Sequence, residues 1–345
     1  MIEKYFSLSV TNLLKNTSDS TTFYLKKPVL KKINYLAGQY VILKVNINGR
    51  KFKRAYSFSS SPSLDENLKI TIKRVPNGIV SNHLIDKVNI GDIIEVSEPM
   101  GEFVYNNVKV PGQVFLWAAG SGITPIYSIL NELLISNPSL QIHLTYGNST
   151  KEEAIFLNEL KDLAINNKKQ FSLNLFFSRN QELQVENSMA GRINSEFVES
   201  YTLKHHNPIN GSQHFICGPS QMKKMIVESL YRVGVSVDSI YSEDFELTVN
   251  DQDLTEVIDS EVELNSNGII HRIFVQKGKT ILDAYIDNGI DLPYSCLTGS
   301  CNTCKVNILF GGVKMIGVEE RNDLSIHEAL LCCSFPLTQN IQIEI

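Results

Sequence analysis

Three cysteines stand close together near the C-terminus, and a fourth follows well beyond them. Cys296, Cys301 and Cys304 are spaced as Cys-x4-Cys-x2-Cys, and Cys332 lies further along the chain. This spacing is typical of a loop wrapped around a [2Fe-2S] cluster, in which thiolates hold the irons and backbone N–H groups bond to the sulfurs. Gly299 lies inside the loop and accepts a positive φ without strain, which suits a tight curl.

Two other uses of these thiols remain open, a zinc knuckle and unrelated free thiols. A structural zinc site would more naturally pair two short Cys-x2-Cys or His-containing arms, and no histidine lies within this loop. Disulfides are disfavoured because no signal peptide is recognisable and Cys217 stands alone. A reducing, cytoplasmic compartment is therefore expected.

The cysteine loop and its upstream lead, residues 278–296, resemble the plant-type ferredoxin family. The resemblance implies a C-terminal α+β domain of the β-grasp type over residues 262–345. The cluster ligands that it implies are Cys296, Cys301, Cys304 and Cys332.

Two details of this resemblance bear on the ligands. Cys332 is preferred because the family places proline four residues after its last cysteine, as Pro336 stands here, and Cys333 falls where the family often has glutamine. Asn302 occupies a position that is commonly glycine, so the loop geometry there is expected to differ.

The length of 345 residues predicts two or three domains at about 100 to 200 residues each. No apolar run approaches the roughly 20 residues of a membrane span. Residues 1–110 hold 16 Lys and Arg against 9 Asp and Glu, whereas residues 247–345 hold 6 against 14. The basic residues of the first third are scattered through strand-like sequence, so nucleic-acid binding is not expected.

Residues 1–110 are predicted to form an antiparallel β-barrel. The strand-like run 40–45 is followed by Asn48-Gly49, a strong hairpin signal, and residues 68–75 alternate apolar and polar side chains. Many short strands with few helices favour a barrel.

The tetrapeptide Arg54-Ala55-Tyr56-Ser57 lies within this predicted barrel. Arginine offers a forked cation to a pyrophosphate, tyrosine a flat face to an isoalloxazine ring, and serine a hydroxyl beside the reactive edge of the ring. The motif resembles Arg-x-Tyr-Ser of the ferredoxin reductase superfamily, which implies that these four residues bind FAD. Taken alone, it is equally compatible with an arginine salt bridge and a core tyrosine.

Residues 78–84 resemble a second flavin-binding element of the same superfamily, in which a glycine turn precedes a short helix. The resemblance implies FAD contacts from Gly78, Val80 and Ser81, with Lys73 adding charge from the preceding strand. Free N–H groups at the helix start would hold phosphate.

Residues 111–246 are predicted to form an α/β nucleotide-binding domain with a parallel sheet. The apolar run 114–119 is typical of a buried parallel strand, and the turn that follows lets the backbone approach a pyrophosphate. This turn resembles the Gly-x-Gly-x-x-Pro sequence of the same reductases, which implies nucleotide contacts from Gly120, Gly122, Thr124 and Pro125.

Further residues of this domain are assigned by the same resemblance. Cys217, Gly218 and Pro219 follow a strand at the sheet edge where ligands bind, and the family cysteine borders the nicotinamide. The alternative for Cys217 is a small buried hydrophobe. Glu243 would lie near the hydride path and Phe245 against the flavin, so Ser57, Cys217 and Glu243 are the candidate catalytic residues.

The choice of nicotinamide nucleotide depends on the end of the strand 173–177. Ser178 and Arg179 follow this strand and resemble the pair that holds the 2′-phosphate in ferredoxin reductases. Ser149 stands where related enzymes often have arginine, so one cation is missing. NADPH is predicted, with NADH as the alternative.

Residues 247–261 are predicted to be an acidic linker. The stretch 247–263 holds six Asp and Glu without any Lys or Arg, and like charges extend a tether.

The order of flavin, nucleotide and ferredoxin modules resembles oxygenase reductase components, most of all the reductase subunits of phenylacetyl-CoA epoxidases. The resemblance implies that NADPH supplies electron pairs to FAD, which passes single electrons to the [2Fe-2S] cluster. The implied partner is a non-haem di-iron oxygenase. Alternatives are a reductase for an acyl-CoA desaturase or another hydroxylase, and a redox-sensing flavin and iron–sulfur protein that does not catalyse.

Overall fold

The computed structural model describes residues 4–28, 33–105, 112–179, 188–205, 211–266, 268–318 and 321–345. These residues form two compact units: the first comprises Met1–Val45 and Tyr56–Glu243, and the second comprises Asn46–Ala55 and Asp244–Ile345. Within the described ranges, no helix has both the length and the apolar character needed to cross a membrane.

The N-terminal sheet has six strands and one short helix. In chain order they are β1 (Tyr5–Thr17), β2 (Ser20–Leu25), β3 (Tyr40–Ile47), β4 (Arg50–Ser57), β5 (Leu68–Lys73), α1 (Ile79–Lys87) and β6 (Ile93–Ser97). The turn between β3 and β4 has positive φ at Asn48 and Gly49, as the sequence predicts for a hairpin.

This sheet closes on itself. Its strand order is β4-β3-β6-β1-β2-β5, and an antiparallel bridge between Phe58 and Ile70 joins the two ends of that order. The Ser59 N–H adds a bond of 2.8 Å to the Lys69 carbonyl. The side chains of Phe23, Phe58 and Ile70 are fully buried. The predicted antiparallel β-barrel is therefore confirmed.

The second sheet is parallel throughout, with order β10-β9-β8-β7-β11-β12. Its elements are β7 (Gln113–Ala119), α2 (Ile123–Ser136), β8 (Gln141–Asn148), α3 (Leu157–Asn166), β9 (Phe171–Phe177), β10 (Ser188–Ala190), α4 (Ser195–His205), β11 (Ser212–Cys217), α5 (Ser220–Arg232) and β12 (Ile240–Glu243). The predicted α/β architecture is confirmed.

Helices cover both faces of the parallel sheet because its strands are apolar on both sides. In β7, Leu116 packs in a cluster with residues of α2 and α3, whereas Trp117 packs in a second cluster with residues of α4 and α5. Both side chains are fully buried. The strand ends are thereby left as the edge at which a ligand can be reached.

The second unit contains a five-stranded mixed sheet with one helix. Its elements are β13 (Ser260–Ser266), β14 (Ile269–Val275), α6 (Ile281–Asp287), β15 (Lys305–Phe310), β16 (Val313–Met315), β17 (Glu328–Leu330), β18 (Ser334–Pro336) and β19 (Asn340–Glu344). The sheet order is β14-β13-β19-β15-β17, and β16 pairs with β18. The α+β type implied by the ferredoxin resemblance is confirmed.

Two hydrogen bonds stabilise this unit just before the cysteine loop. The Thr280 hydroxyl caps α6 by accepting the Asp283 N–H at 3.0 Å. The Lys53 N–H, from the part of β4 that belongs to this unit, donates to the Tyr294 hydroxyl at 3.1 Å. Tyr294 is almost fully buried, and the loop begins directly after it.

The predicted acidic linker at 247–261 differs from the structure. Its apolar residues Leu254 and Val257 pack with Ile316 and Phe335, and Val257 is fully buried. The stretch 251–256 consists of turns rather than extended chain. Its charges suggest a tether, but the apolar side chains between those charges anchor the stretch to the second unit.

Candidate functional site

The structure brings the three candidate catalytic residues together, since Ser57 bonds to Glu243 and Cys217 is the register partner of Glu243 in the β11–β12 pair. Ser57 ends β4 and is 5% exposed, and its hydroxyl donates to Glu243 Oε2 in a long hydrogen bond of 3.5 Å. Glu243 ends β12, and 186 positions separate the two residues in sequence. A hydroxyl and a carboxylate at the ends of strands from two sheets form a site that sequence spacing alone does not reveal.

The turn before α1 is closed by the Ser81 side chain. The Ser81 hydroxyl accepts the Val75 N–H at 3.1 Å, and a Cβ at Gly78 would lie 2.8 Å from that hydroxyl oxygen. Ser81 and Val80 are 6% and 4% exposed. Ser81 therefore shapes the turn, and its own O–H remains the group able to donate to a phosphate. The contacts of Gly78, Val80 and Ser81 with FAD stay predictions.

A cavity of about 570 Å³ lies at the carboxyl ends of the parallel strands. Four of the predicted cofactor-binding residues line it, namely Lys73, Gly120, Ser178 and Pro219. Lys73 also pairs with Asp19 at 3.6 Å. A cavity of this size suits a nucleotide, and its place at the strand ends is where α/β sheets bind ligands.

Most of the residues that line the cavity were not among the predicted site residues, and three of them are polar or charged groups at the strand ends or in the nearby loops. Asn148 ends β8, Glu153 lies in the loop before α3, and Arg192 follows β10. Asn148 Nδ2 is buried, and its one hydrogen-bonding neighbour within the described ranges is the Tyr146 side chain, so it is a donor that a ligand could also use. Gly191-Arg192 directly after a short strand was a visible signal for a cation at the sheet edge, whereas nothing in the sequence around Glu153 indicated the cavity.

The turn after β7 packs directly on the end of β11. A Cβ at Gly122 would lie 2.2 Å from the Cys217 backbone oxygen. Thr124 is 3% exposed and donates from Oγ1 to the Ser121 carbonyl at 3.1 Å, and Pro125 is buried in the first turn of α2. Gly122, Thr124 and Pro125 therefore hold the turn in place, and Gly120 faces the cavity.

Replacing Gly122 with alanine is expected to destabilise the first unit by about 1–3 kcal/mol, because the added methyl group collides with backbone atoms that cannot move aside cheaply. Chemical denaturation followed by circular dichroism measures the loss. Gly147→Ala is the matched control, since the nearest atom to its Cβ would be a side-chain carbon of Ile193 at 3.4 Å. Equal stability of the two variants would contradict the close approach.

The remaining predicted nucleotide-site residues lie in different surroundings. Cys217 is 1% exposed and belongs to the core cluster under the sheet, as expected for a small buried hydrophobe. A Cβ at Gly218 would meet the Met222 methyl at 2.6 Å. Arg179 is exposed and donates its backbone N–H to Ser149 O at 2.9 Å. Phe245 belongs to the second unit and is 40% exposed. The roles of these residues stay predictions.

The four predicted cluster ligands are neighbours in the second unit. Hydrogen bonds from the thiols of Cys301 and Cys332 lower the pKa of Cys296. Bonds to Cys296 and Cys304 raise the pKa of Cys332. Within the described residues, no three Cys, His, Asp or Glu side chains have the geometry of a site for a single metal ion. The ligand assignment therefore rests on the contacts among the thiols and on their spacing.

The loop between the first two thiols is shaped to surround a sulfur. The N–H groups of Thr298 and Cys301 point at Cys296 Sγ, at 3.5 and 3.4 Å. Gly299 has φ +73°, and Leu297 has φ +62°, a costly conformation for leucine. Backbone N–H groups around cysteine sulfurs are what a [2Fe-2S] cluster requires, so the residues fit that group.

Cys332 and Cys333 differ in their contacts. The Cys333 thiol is fully buried and donates to the Leu330 carbonyl at 3.4 Å. A Cβ at Gly299 would lie 3.1 Å from Cys333 Sγ, so this thiol packs beneath the loop. Cys332 contacts Cys296 and Cys304. These contacts favour Cys332 as the fourth ligand.

Three family models match the chain in succession. Residues 7–105 match the oxidoreductase FAD-binding domain, residues 116–228 the oxidoreductase NAD-binding domain, and residues 264–337 the 2Fe-2S iron-sulfur cluster binding domain. The three matches fall on the barrel, the parallel-sheet domain and the cysteine-bearing domain. They therefore agree with the cofactors predicted from the sequence.

Similar proteins extend over nearly the whole chain. The ferredoxin reductase component of 3-ketosteroid-9-alpha-monooxygenase from Rhodococcus rhodochrous is 29% identical, over 98% of this chain and 96% of the relative. One of the subunits of 1,2-phenylacetyl-CoA epoxidase from Escherichia coli strain K12 is also 29% identical, over 99% of this chain and 97% of the relative. The solved structure of phthalate dioxygenase reductase matches 99% of this chain and 98% of its own with a TM-score of 0.72 at 21% identity, which shows a shared fold.

Proposed function

We propose that this protein, an oxidoreductase of the ferredoxin reductase superfamily with FAD-binding, NAD-binding and 2Fe-2S domains, passes electrons from NADPH to a non-haem di-iron oxygenase. The observation that carries this proposal is the presence of all three domain types on one chain, which is similar over almost its whole length to components of two oxygenases. FAD accepts electrons in pairs and gives them up singly, which a [2Fe-2S] cluster requires. The chain thus contains each part of a path from a two-electron donor to a one-electron acceptor.

Within this path, the residues of the chain bind and orient. Arg54, whose Nη1 donates to the Lys53 carbonyl at 2.7 Å, would offer its remaining N–H groups to the FAD pyrophosphate, and Tyr56 would offer its ring to the flavin. The contact between Ser57 and Glu243 keeps the hydroxyl oriented, and the burial of Ser57 excludes water from it. The thiols of Cys296, Cys301, Cys304 and Cys332 hold the cluster.

The preference for NADPH is supported by the cations of the cavity. Arg192 and Lys73 line it together with the Ser178 hydroxyl, and Arg192 offers the cation that Ser149 does not. Glu153 lies in the same cavity and would disfavour a phosphate close to it. The balance of two cations against one carboxylate favours the 2′-phosphate of NADPH.

Arg192→Gln is expected to raise the KM for NADPH about tenfold or more and to leave the KM for NADH within about twofold, because a charge-assisted hydrogen bond contributes about 1.5–3 kcal/mol. Steady-state reduction of an artificial acceptor with each nucleotide measures both constants. Arg232→Gln is the control, since that guanidinium pairs with Glu199 on the surface of the same unit. An equal loss with both nucleotides would count against a 2′-phosphate contact.

The oxygenase of phenylacetyl-CoA epoxidation is proposed as the acceptor, from the similarity to the Escherichia coli epoxidase component over almost the entire chain. The steroid monooxygenase component is equally identical, so reconstitution must decide between them. NADPH-dependent epoxidation by the purified epoxidase oxygenase, supplied with this protein in place of the similar epoxidase component, is the test. Faster turnover of the steroid monooxygenase, or of an acyl-CoA desaturase, would reassign the acceptor.

The second candidate is a redox-sensing protein with the same cofactors. It is favoured by the burial of Cys217, because a buried thiol is poorly placed to act on a bound nicotinamide. Anaerobic addition of NADPH separates the two functions. Prompt bleaching of the flavin and cluster absorbance supports the reductase, and an unreactive flavin supports the sensor.

We also propose the domain limits 1–110, 111–246 and 262–345 for the three domains, with the acidic segment 247–261 joining the last two. A reducing compartment such as the cytoplasm is proposed as well, because four of the six cysteines are assigned to one cluster and thiols stay reduced there.

A further inference from the structure

The cluster loop is held by an arginine that is not a candidate ligand. Arg321 donates from Nη1 to the backbone oxygen of Gly299 and from Nη2 to Asn302 Oδ1 at 2.6 Å. Gly299 precedes Cys301 in the loop and Asn302 follows it. One guanidinium therefore joins the turns on the two sides of a cluster ligand.

Asp323 completes this arrangement. Its carboxylate accepts from Arg321 Nε and Nη2, each at 2.7 Å, and from Asn302 Nδ2 at 3.0 Å. The bond to Asp323 raises the pKa of Arg321, and the bond from Arg321 lowers the pKa of Asp323. Both groups are therefore charged at any working pH. We call Arg321, Asp323 and Asn302 the loop latch.

Asn302 makes this latch possible. It stands where the plant-type ferredoxin family commonly has glycine, which offers no side-chain donor or acceptor. The Asn302 amide oxygen accepts from Arg321, and the Asn302 amide nitrogen donates to Asp323. A departure from the family pattern thus coincides with a contact that glycine cannot make.

The two charges of the latch are not equivalent. The Arg321 side chain is 17% exposed, whereas the Asp323 side chain is 50% exposed, so water screens the carboxylate more effectively. Arg321 is also the member that contacts the loop backbone, through the Gly299 carbonyl. Reduction adds one negative charge to a cluster already surrounded by thiolates, and a nearby cation stabilises that charge.

We propose that Arg321 is a positioning residue for the [2Fe-2S] site, which fixes the loop around Cys301 and raises the reduction potential of the cluster, with Asn302 and Asp323 orienting its guanidinium. This inference rests on the cluster-binding domain alone and is independent of which oxygenase accepts the electrons. The arginine acts through the loop backbone and through its charge, and it does not bind iron.

A redox titration of the full-length holoprotein, followed by the electron paramagnetic resonance of the reduced cluster, tests the charge. Arg321→Gln is expected to lower the ratio of reduced to oxidised cluster about tenfold at a fixed potential, a shift of about 59 mV for a one-electron couple. Asp323→Asn should move the ratio in the opposite direction. Arg321→Lys, which keeps the charge, should stay near the wild-type ratio.

The rate at which a chelator removes the cluster tests the fixing of the loop. Arg321→Gln, Arg321→Lys and Asn302→Gly are each expected to lose the cluster at least about threefold faster, because each removes hydrogen bonds to a charged group that hold the loop on both sides of Cys301. Arg272→Gln is the control, since that arginine is 77% exposed and pairs with Glu263 on the β13–β14 hairpin. It should match the wild type in both measurements.

A general loosening of the domain would shift the ratio of reduced to oxidised cluster in the same direction in Arg321→Gln and Asp323→Asn. The proposal instead predicts shifts in opposite directions. Shifts of the same sign in Arg321→Gln and Asp323→Asn, or cluster loss from Arg321→Gln no faster than from Arg272→Gln, would overturn it. If Arg321→Gln retains no cluster while Arg272→Gln does, the fixing role is supported and Asp323→Asn decides the role of charge.

Discussion

Cys332→Ser is expected to give purified protein with no [2Fe-2S] cluster and an unchanged FAD content. The Cys332 thiol contacts two other predicted ligands, Cys296 and Cys304, so its loss would leave three thiols for a cluster that four would hold. All of the barrel except residues 46–55 belongs to the first unit and should fold as before. Iron and sulfide analysis, together with the visible spectrum, measures both cofactors in one sample.

Cys333→Ser is the matched control, because it changes the neighbouring thiol. That thiol donates to the Leu330 carbonyl, a bond that a serine hydroxyl can also make. The cluster should therefore be retained. Loss of the cluster from Cys333→Ser, with retention in Cys332→Ser, would show that the fourth ligand had been misassigned.

Ser57→Ala is expected to slow the reduction of bound flavin by NADPH about 10²-fold, the effect of removing one preorganised hydrogen-bond donor from a reacting centre. Glu243→Gln is expected to slow it by a comparable factor, because the carboxylate holds the Ser57 hydroxyl in place. Anaerobic stopped-flow absorbance at the flavin band measures the rate directly.

The double variant distinguishes a shared role from two separate ones. If Ser57 and Glu243 act as a unit, the double variant should be little slower than either single variant. Ser59→Ala is the control, since that buried hydroxyl bonds to Thr71, at 2.8 Å, in the barrel wall. Slowing that multiplies in the double variant would mean that the contact does not couple the two groups.

Much of the fold was predictable because its signals are local. The apolar run of β7, the Asn48-Gly49 turn and the alternation in β5 each follow from the preferences of a few neighbouring residues. The spacing of three thiols likewise restricts the loop to few structures, and Gly299 has the positive φ expected there.

The remainder depends on contacts between residues far apart in sequence. The approach of Ser57 to Glu243 requires the ends of β4 and β12 to meet, and no pattern in either strand's sequence predicts that contact. The role of Asn302 depends in the same way on Arg321 and Asp323, beyond the loop. The packing within 247–261 was missed for a different reason, because charge was weighed and the burial of Val257 was not.

The central claim is that electrons enter this chain in pairs and leave it singly. An anaerobic titration with NADPH, followed by flavin absorbance and by the paramagnetic resonance of the cluster, tests it most directly. Full reduction should require about 1.5 NADPH per chain, because FAD takes two electrons and the cluster takes one. An endpoint at about one NADPH with the cluster still oxidised, or no reduction of the flavin, would contradict the claim.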